Sequence, residues 1–362
     1  MRIGFVLTNL AGGGAEKAVL KIGAGLAAQG HRVEVILLEH VIAHGLPQGV
    51  HLQGLTSPGR TTSKGWLGKR LAARRLARLV ARLHAEERFS LVVSTLPFAD
   101  EVALIARLPA HWCRIANTLS AEVARLAERS SARAARRLGR YRRMYGGRPL
   151  IAVSEGVAAD LARGCGIAPG RVETIPNPFD FAEMKRLAAE QATLPPQPYL
   201  IHVGRFSAQK RHDVLLDAFA RLPGSPRLVL LADAEPRLER MIAERGLAGR
   251  VTIAGFQQNP YPWIAGAALL VLSSDHEGLP NALIEAVALG VPAVSTDCPS
   301  GPREILGAAH PALLAPVGDA AALARAIERA LAERPDMSRV DLSRYSGDRV
   351  VAAYERLAAG SG

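Results

Sequence analysis

The chain has 362 residues, 49% of them hydrophobic, and a formal charge of +12, a length that exceeds the usual single core and predicts two domains. No apolar run reaches the ~18–20 residues that a spanning helix needs, and the N-terminus lacks a secretory-leader pattern, so a cytoplasmic protein is expected. Three scattered cysteines (Cys113, Cys165, Cys298) have no metal-binding spacing and cannot all pair, and no His-rich or Asp-x-Asp cluster is present, so no metal is expected. Arg2–Leu10 (RIGFVLTNL) predicts a first buried strand. Gly12, Gly13 and Gly14 follow it, where a backbone must approach something closely before a helix starts near Ala15. His31–Glu39 gives a second strand. Glycines after one strand and an acid, Glu39, after the next partly imitate a dinucleotide fingerprint. Lys17 stands where the third glycine belongs, which disfavours a nicotinamide-dependent enzyme.

The charge is unevenly spread. Residues 1–178 hold 26 Lys and Arg against 12 Asp and Glu, and residues 60–148 alone hold 20 against 6. Such asymmetry points to an anionic partner. Lys64–Glu87 predicts a helix in which Arg70, Arg74, Arg78 and Arg82 recur every four residues as one stripe, with Arg75 beside it. Leu71, Leu76, Leu79 and Leu83 form its apolar side. Like charges at that spacing repel by about 0.2–0.5 kcal/mol per pair in water, which a nearby anion offsets. A second run, Glu128–Arg148, interleaves Tyr141, Met144 and Tyr145 with arginines. Solvated faces are the plain alternative. Two runs in one domain favour an anionic membrane surface, with Trp66, Leu67, Tyr141 and Tyr145 as shallow anchors. Few aromatics interleave the basic runs, which speaks against nucleic acid.

Leu91–Pro97 and Cys113–Thr118 read as core strands. Leu150–Ala162 reads as a strand, a capping Ser154 and a helix. Arg171–Asp180 gives a short strand and a Pro-rich break, which sets a first domain of 1–176, a linker of 177–198 and a second domain of 199–344. The second domain alternates strands and helices, so both halves are expected to be α/β with a doubly wound parallel sheet. Its first strand ends in Gly204-Arg205, with Lys210 soon after, at the edge where open α/β sheets bind ligands.

Ile264–Leu272 (IAGAALLVL) predicts a buried strand leading into Ser273–Gly290, SSDHEGLPNALIEAVALG. Pro280 and Asn281 open a helix. Glu277 therefore precedes its mouth and Glu285 lies about one turn in. The N–H groups near Asn281, Ala282 and Leu283 then offer an anion cradle with a carboxylate on either side, a site for a sugar joined to a phosphate.

These residues resemble the retaining family 4 glycosyltransferases, whose mark is two glutamates eight positions apart, as Glu277 and Glu285 are. The resemblance extends through VGRFSAQKRHDVLLDAFARL (from Val203), IPNPFD (from Ile175) and GGGAEK near the N-terminus. It implies two Rossmann-like domains facing across a cleft (the GT-B fold), with the C-terminal helix (345–362) packed back on the first. It also implies retention at the anomeric carbon without a metal or other cofactor. Arg205 and Lys210 would stabilise the departing diphosphate, and Glu277 would hold the transferred sugar. Glu285 would hold the ribose, with Gly13, Gly14, Gly204, Phe256, Gly278, Leu279, Pro280, Asn281 and Ala282 around the donor. Asn117, in the region where many members carry a histidine, and Ser154 would lie on the acceptor side. The implied donor is a nucleotide sugar, expected as a UDP-linked hexose or N-acetylhexosamine. The implied acceptor is a glycan on a polyprenyl diphosphate, reached from the inner face of the cell membrane. A soluble enzyme with a small-metabolite acceptor, and a non-catalytic glycosyltransferase-like or nucleic-acid-binding protein, are the alternatives.

Overall fold

The computed structural model describes residues 1–11, 13–42, 45–57, 59–224 and 226–360. The chain divides into two units: unit 1 is Met1–Pro178 with Arg344–Gly362, and unit 2 is Phe179–Ser343.

Unit 1 holds β1 (Arg2–Leu7), α1 (Gly14–Ala28), β2 (Arg32–Leu37), β3 (Val50–Gly54), α2 (Trp66–Glu86), β4 (Phe89–Thr95), α3 (Pro97–Ala106), β5 (His111–Ile115), α4 (Leu119–Ala127), α5 (Ser131–Tyr145), β6 (Pro149–Ala152), α6 (Glu155–Ala159) and β7 (Arg171–Thr174). Its strands form one parallel sheet in the order β3-β2-β1-β4-β5-β6-β7. The strands are apolar on both faces because helices cover both. One face packs Phe5, Val33, Val35 and Leu91 against α1 and the C-terminal helix, Gly347–Ala359. Gly25 permits that contact, since a Cβ there would lie 2.4 Å from Val351 Cγ2. The other face packs Val6, Ile36 and Val92 against Leu76, Val80 and Leu83 of α2 and Val102 of α3.

Unit 2 holds α7 (Phe181–Ala188), β8 (Tyr199–Val203), α8 (His212–Ala220), β9 (Arg227–Leu231), α9 (Pro236–Glu244), β10 (Val251–Ile253), α10 (Tyr261–Ala265), β11 (Leu269–Leu272), α11 (Asn281–Ala288), β12 (Ala293–Thr296), α12 (Pro302–Leu306), β13 (Leu314–Ala315) and α13 (Ala320–Glu333). The sheet order is β10-β9-β8-β11-β12-β13, all parallel. Strand order reverses between β8 and β11, and the crevice beyond the carboxyl ends of these two strands is where such sheets bind ligands.

Several expectations need correction. The strand expected over Ile264–Leu272 begins only at Leu269, because Pro262 suits the first turn of α10 and Ile264 is buried there as a helical residue. The expected linker, 177–198, contains α7, whose Asp180 caps the N–H of Glu183 at 2.9 Å. Tyr141 and Tyr145, expected as surface anchors, are fully buried. They share with Ala134 the inner face of α5, and their hydroxyls donate to Glu122 (2.6 Å) and Asp100 (2.8 Å). Leu71, expected on the apolar side of α2, is exposed, and the buried side is Ala72, Ala73, Leu76, Val80 and Leu83. Arg70, Arg74, Arg75, Arg78 and Arg82 are all exposed.

Candidate functional site

The loops that follow β8 and β11 are stapled to one another on either side of the strand-order reversal. After β8 the chain passes Gly204 and Arg205 and makes a single tight turn, Ala208–Lys210. After β11 it runs from Ser273 to Pro280. The Asp275 N–H donates to the Gln209 carbonyl (2.9 Å), the Gln209 amide to the His276 carbonyl (2.7 Å), and the Ser273 hydroxyl to the Lys210 carbonyl (2.7 Å). Arg211 bridges the two loops by pairing with Asp275 (2.8 Å) while also gripping Asp213.

This frame brings Lys210 and Glu277 together. Lys210 Nζ lies 2.6 Å from Glu277 Oε1, and the Ser274 hydroxyl donates to the same oxygen, also at 2.6 Å. The glutamate side chain is only 7% exposed, so its charge is held by these donors rather than by water. Behind the lysine, His202 and His212 meet edge to face, 4.8 Å apart, and Phe206 abuts His212. Burial, reinforced by each other's proximity and by Lys210, holds His202 well below the usual imidazole range. Burial and then Lys210 bring His212 down to about 4. Both rings are therefore neutral near pH 7, which leaves Lys210 and, on the same loop, Arg205 to supply the positive charge.

α11 begins at Asn281, with Glu277 before it and Glu285, half-buried, at its fifth residue. The cradle is narrower than expected, because the Leu283 N–H already donates to the Pro280 carbonyl (3.0 Å). Gly278, Leu279 and Pro280 are buried under the loop after β12. Gly301 takes φ 100°, and a Cβ there would lie 2.2 Å from Pro280 Cδ, so only glycine lets that loop close over the helix mouth. Arg205 is exposed and has no ion-pair partner among the described residues. Phe256 is 63% exposed beside Gly255, on the loop after β10.

The remaining expected residues lie in unit 1, at the carboxyl ends of its strands. Gly13 and Gly14 start α1, with the Glu16 carboxylate packed against Gly13; Gly12 lies outside the described residues. Asn117, after β5, accepts from the N–H of Thr118 at 2.9 Å. Ser154, after β6, caps α6 by accepting from the Val157 N–H at 3.2 Å. Glu39, the acid of the dinucleotide alternative, is buried and accepts from Asn9 (3.0 Å) and the Thr62 N–H (3.1 Å). Sequence reasoning missed Ser274, the Arg211 clasp and the His202–His212 pair. The alternation of His202 within an otherwise apolar strand was the available signal.

Residues 197–333 match the family model described as Glycosyl transferases group 1, and residues 12–183 match the one described as Glycosyltransferase Family 4. The chain belongs to the family 4 glycosyltransferases. Among curated relatives, it is 35% identical over 171 residues to the lipopolysaccharide core biosynthesis glycosyltransferase LpsE of Rhizobium meliloti, covering 45% of this chain and 50% of that one. It is 26% identical over 310 residues to a Campylobacter jejuni protein, covering 84% and 83% of the two chains. The name of that protein is N-acetylgalactosamine-N,N'-diacetylbacillosaminyl-diphospho-undecaprenol 4-alpha-N-acetylgalactosaminyltransferase. The chain thus spans half the length of LpsE and most of the second relative. Its fold is GT-B, as in Anabaena HepE solved with UDP and glucose (TM-score 0.73, 20% identity, 99% of this chain and 100% of that one). Among the described residues no helix is long and apolar enough to cross a membrane, and no cluster of three or more His, Cys, Asp or Glu is arranged to hold a metal.

Proposed function

We propose that this glycosyltransferase moves a sugar from a nucleoside diphosphate to a growing glycan of the cell envelope. The observation that carries the reading is the Lys210–Glu277 pair at the strand-order reversal of unit 2, 2.6 Å apart, where a diphosphate and the sugar attached to it need a cation and a hydroxyl acceptor side by side. Lys210 and Arg205 neutralise the charge that grows on the departing diphosphate, the kind of electrostatic stabilisation commonly worth a few kcal/mol. Glu277, opposite them, accepts from sugar hydroxyls, and Glu285 does the same for the ribose. The reaction is written with retention: the bond from the anomeric carbon to the diphosphate oxygen breaks, the acceptor hydroxyl oxygen bonds to that carbon on the same face, and its proton passes to the departing phosphate. No side chain is then required as a covalent nucleophile, and Asn117 in place of a histidine is tolerated. Because the two cations supply the charge, turnover is expected without a divalent metal.

UDP is the favoured carrier, since HepE was solved with it. A polyprenyl-diphosphate acceptor is favoured because the Campylobacter relative's name specifies a diphospho-undecaprenol substrate. The exposed arginine stripe of α2, with Trp66, Leu67 and Leu71 exposed at its start, suits docking on the inner face of an anionic membrane. The test is a screen of nucleotide sugars for release of free sugar, with and without chelator. One UDP-sugar should be hydrolysed at the same rate in both. Turnover of none would overturn the donor assignment, and loss with chelator would overturn the metal-independent scheme.

A further inference from the structure

The opposite end of the unit 1 sheet, where β5 and β6 begin, carries a second set of polar groups that the donor chemistry does not use. A cavity of about 370 Å³ is lined there by Leu104, Arg107, Leu108, His111, Cys113, Arg148 and Pro149. Arg107 follows α3 and Arg148 precedes β6. Both are exposed, and neither guanidinium has an ion-pair or hydrogen-bond partner among the described residues. His111 connects the cavity to the interior. Its Nε2 lies 2.9 Å from Ser94 Oγ, and Ser94 Oγ lies 2.5 Å from Oδ1 of Asp100, a fully buried carboxyl whose other oxygen accepts from Tyr145 at 2.8 Å. The remaining ring nitrogen of His111, Nδ1, is the one left to face the cavity.

We propose that this cavity binds a small oxyanion of the phosphate-monoester class between Arg107 and Arg148, and that a proton on the Asp100–Ser94–His111 relay controls its affinity. The relay has two consistent arrangements. With Asp100 ionised, Ser94 donates to the carboxylate and therefore accepts from His111 Nε2–H, so Nδ1 turns a lone pair toward the cavity. With Asp100 protonated, the acid donates to Ser94, Ser94 donates to Nε2, and Nδ1 carries the hydrogen and donates into the cavity. The first arrangement adds a buried negative charge and an acceptor against an anion. The second removes the charge and supplies a donor.

Asp100 is the group that changes charge near neutrality. Burial pushes it up to about 7, against the hydrogen bonds from Ser94 and Tyr145 that favour its ionised form. Around it, burial and then Arg148 bring His111 down to about 4. Burial, with Asp100 next, pushes Cys113 and Tyr145 well up, so all three stay neutral. Glu101, the adjacent acid on α3, is occupied by Lys69 and Arg140. Protonation of Asp100 strengthens anion binding, so affinity falls as pH rises through 7. If only the protonated form binds, a group titrating near 7 makes the affinity at pH 6 about tenfold that at pH 8. By reciprocity, a bound anion raises the pKa of Asp100.

Sulfate is the probe, because it keeps the same charge from pH 6 to 8. Titration calorimetry in an Arg205→Ala, Lys210→Ala background, which lacks the donor-site cations, should give a dissociation constant about tenfold lower at pH 6. Binding should be lost in Arg107→Ala, Arg148→Ala, two exposed positions that leave the core intact. Asp100→Asn should abolish the pH dependence. Should that variant not fold, an NMR titration of the Asp100 carboxyl in the wild type replaces it, and sulfate should move its midpoint upward. Glycerol phosphate should compete with sulfate, and phosphatidic acid vesicles should not bind through Arg107 and Arg148. Vesicle capture that needs both arginines, without competition by glycerol phosphate, would assign the cavity to a lipid headgroup and overturn the soluble ligand. Sulfate affinity that ignores either the two arginines or the pH would overturn the site itself.

Discussion

Lys210 and Glu277 are 67 positions apart in the chain and share one hydrogen bond, yet their proposed roles separate in kinetics. Lys210→Ala and Arg205→Ala remove positive charge where charge develops, so each should lower kcat by about a hundredfold. Glu285→Ala should mainly raise the donor KM, because ribose contacts change little during transfer. Steady-state kinetics with the preferred donor would separate the two, and equal losses in both parameters for all three variants would mean the roles are misassigned. That Lys210 and Glu277 lie at the carboxyl ends of β8 and β11 was legible, because each follows a buried strand after a short loop. Asp100 was harder. Its signal was an acid pair, Asp100-Glu101, inside the otherwise apolar stretch that became α3, and only the fold reveals that Ser94, Tyr145 and His111 converge on Asp100. Tyr141 and Tyr145 were misread because dense arginines hid a helical period: Ala134, Tyr141 and Tyr145 recur at seven and four residues along the buried face of α5.

α2 shows how an amphipathic helix can be read correctly in both faces and still miss at one position: Leu76, Leu79 and Leu83 pack on the core as expected, and Leu71 does not. The arginine stripe emerged as expected, whereas the buried side is made by alanines as much as leucines, which leaves Leu71 outside with Trp66 and Leu67. Arg70 stacks on the Trp66 ring, 4.3 Å from its centre, so the tryptophan is held at the start of the basic face. Basic residues near an anionic leaflet contribute about 1 kcal/mol each, and four engaged arginines would hold the protein peripherally. Co-sedimentation should therefore favour anionic over zwitterionic liposomes, weaken with salt, and be lost in Arg70→Glu, Arg74→Glu, Arg78→Glu. Equal pelleting across lipids, or an unaffected triple variant, would restore a soluble acceptor. α7 and α10 were missed because both are short and next to prolines, where turn signals dominate a helical period too brief to register.

Unit 2 is an insertion in the chain of unit 1, entered at Phe179 and left at Ser343. The segment that completes unit 1 is the C-terminal helix, which buries Val350, Val351, Tyr354, Leu357 and Ala358 in the same core as Phe5, Val19 and Leu26. A chain ending at Ser343 should keep a cooperative calorimetric transition for unit 2, lose the one for unit 1 and bind a hydrophobic dye. Two intact transitions would show the helix to be dispensable. The order of synthesis then matters. At typical ribosomal rates unit 2 takes roughly ten to thirty seconds to emerge. Throughout that time the first 178 residues wait for a partner not yet translated, so the half of the protein made first is the half that finishes folding last.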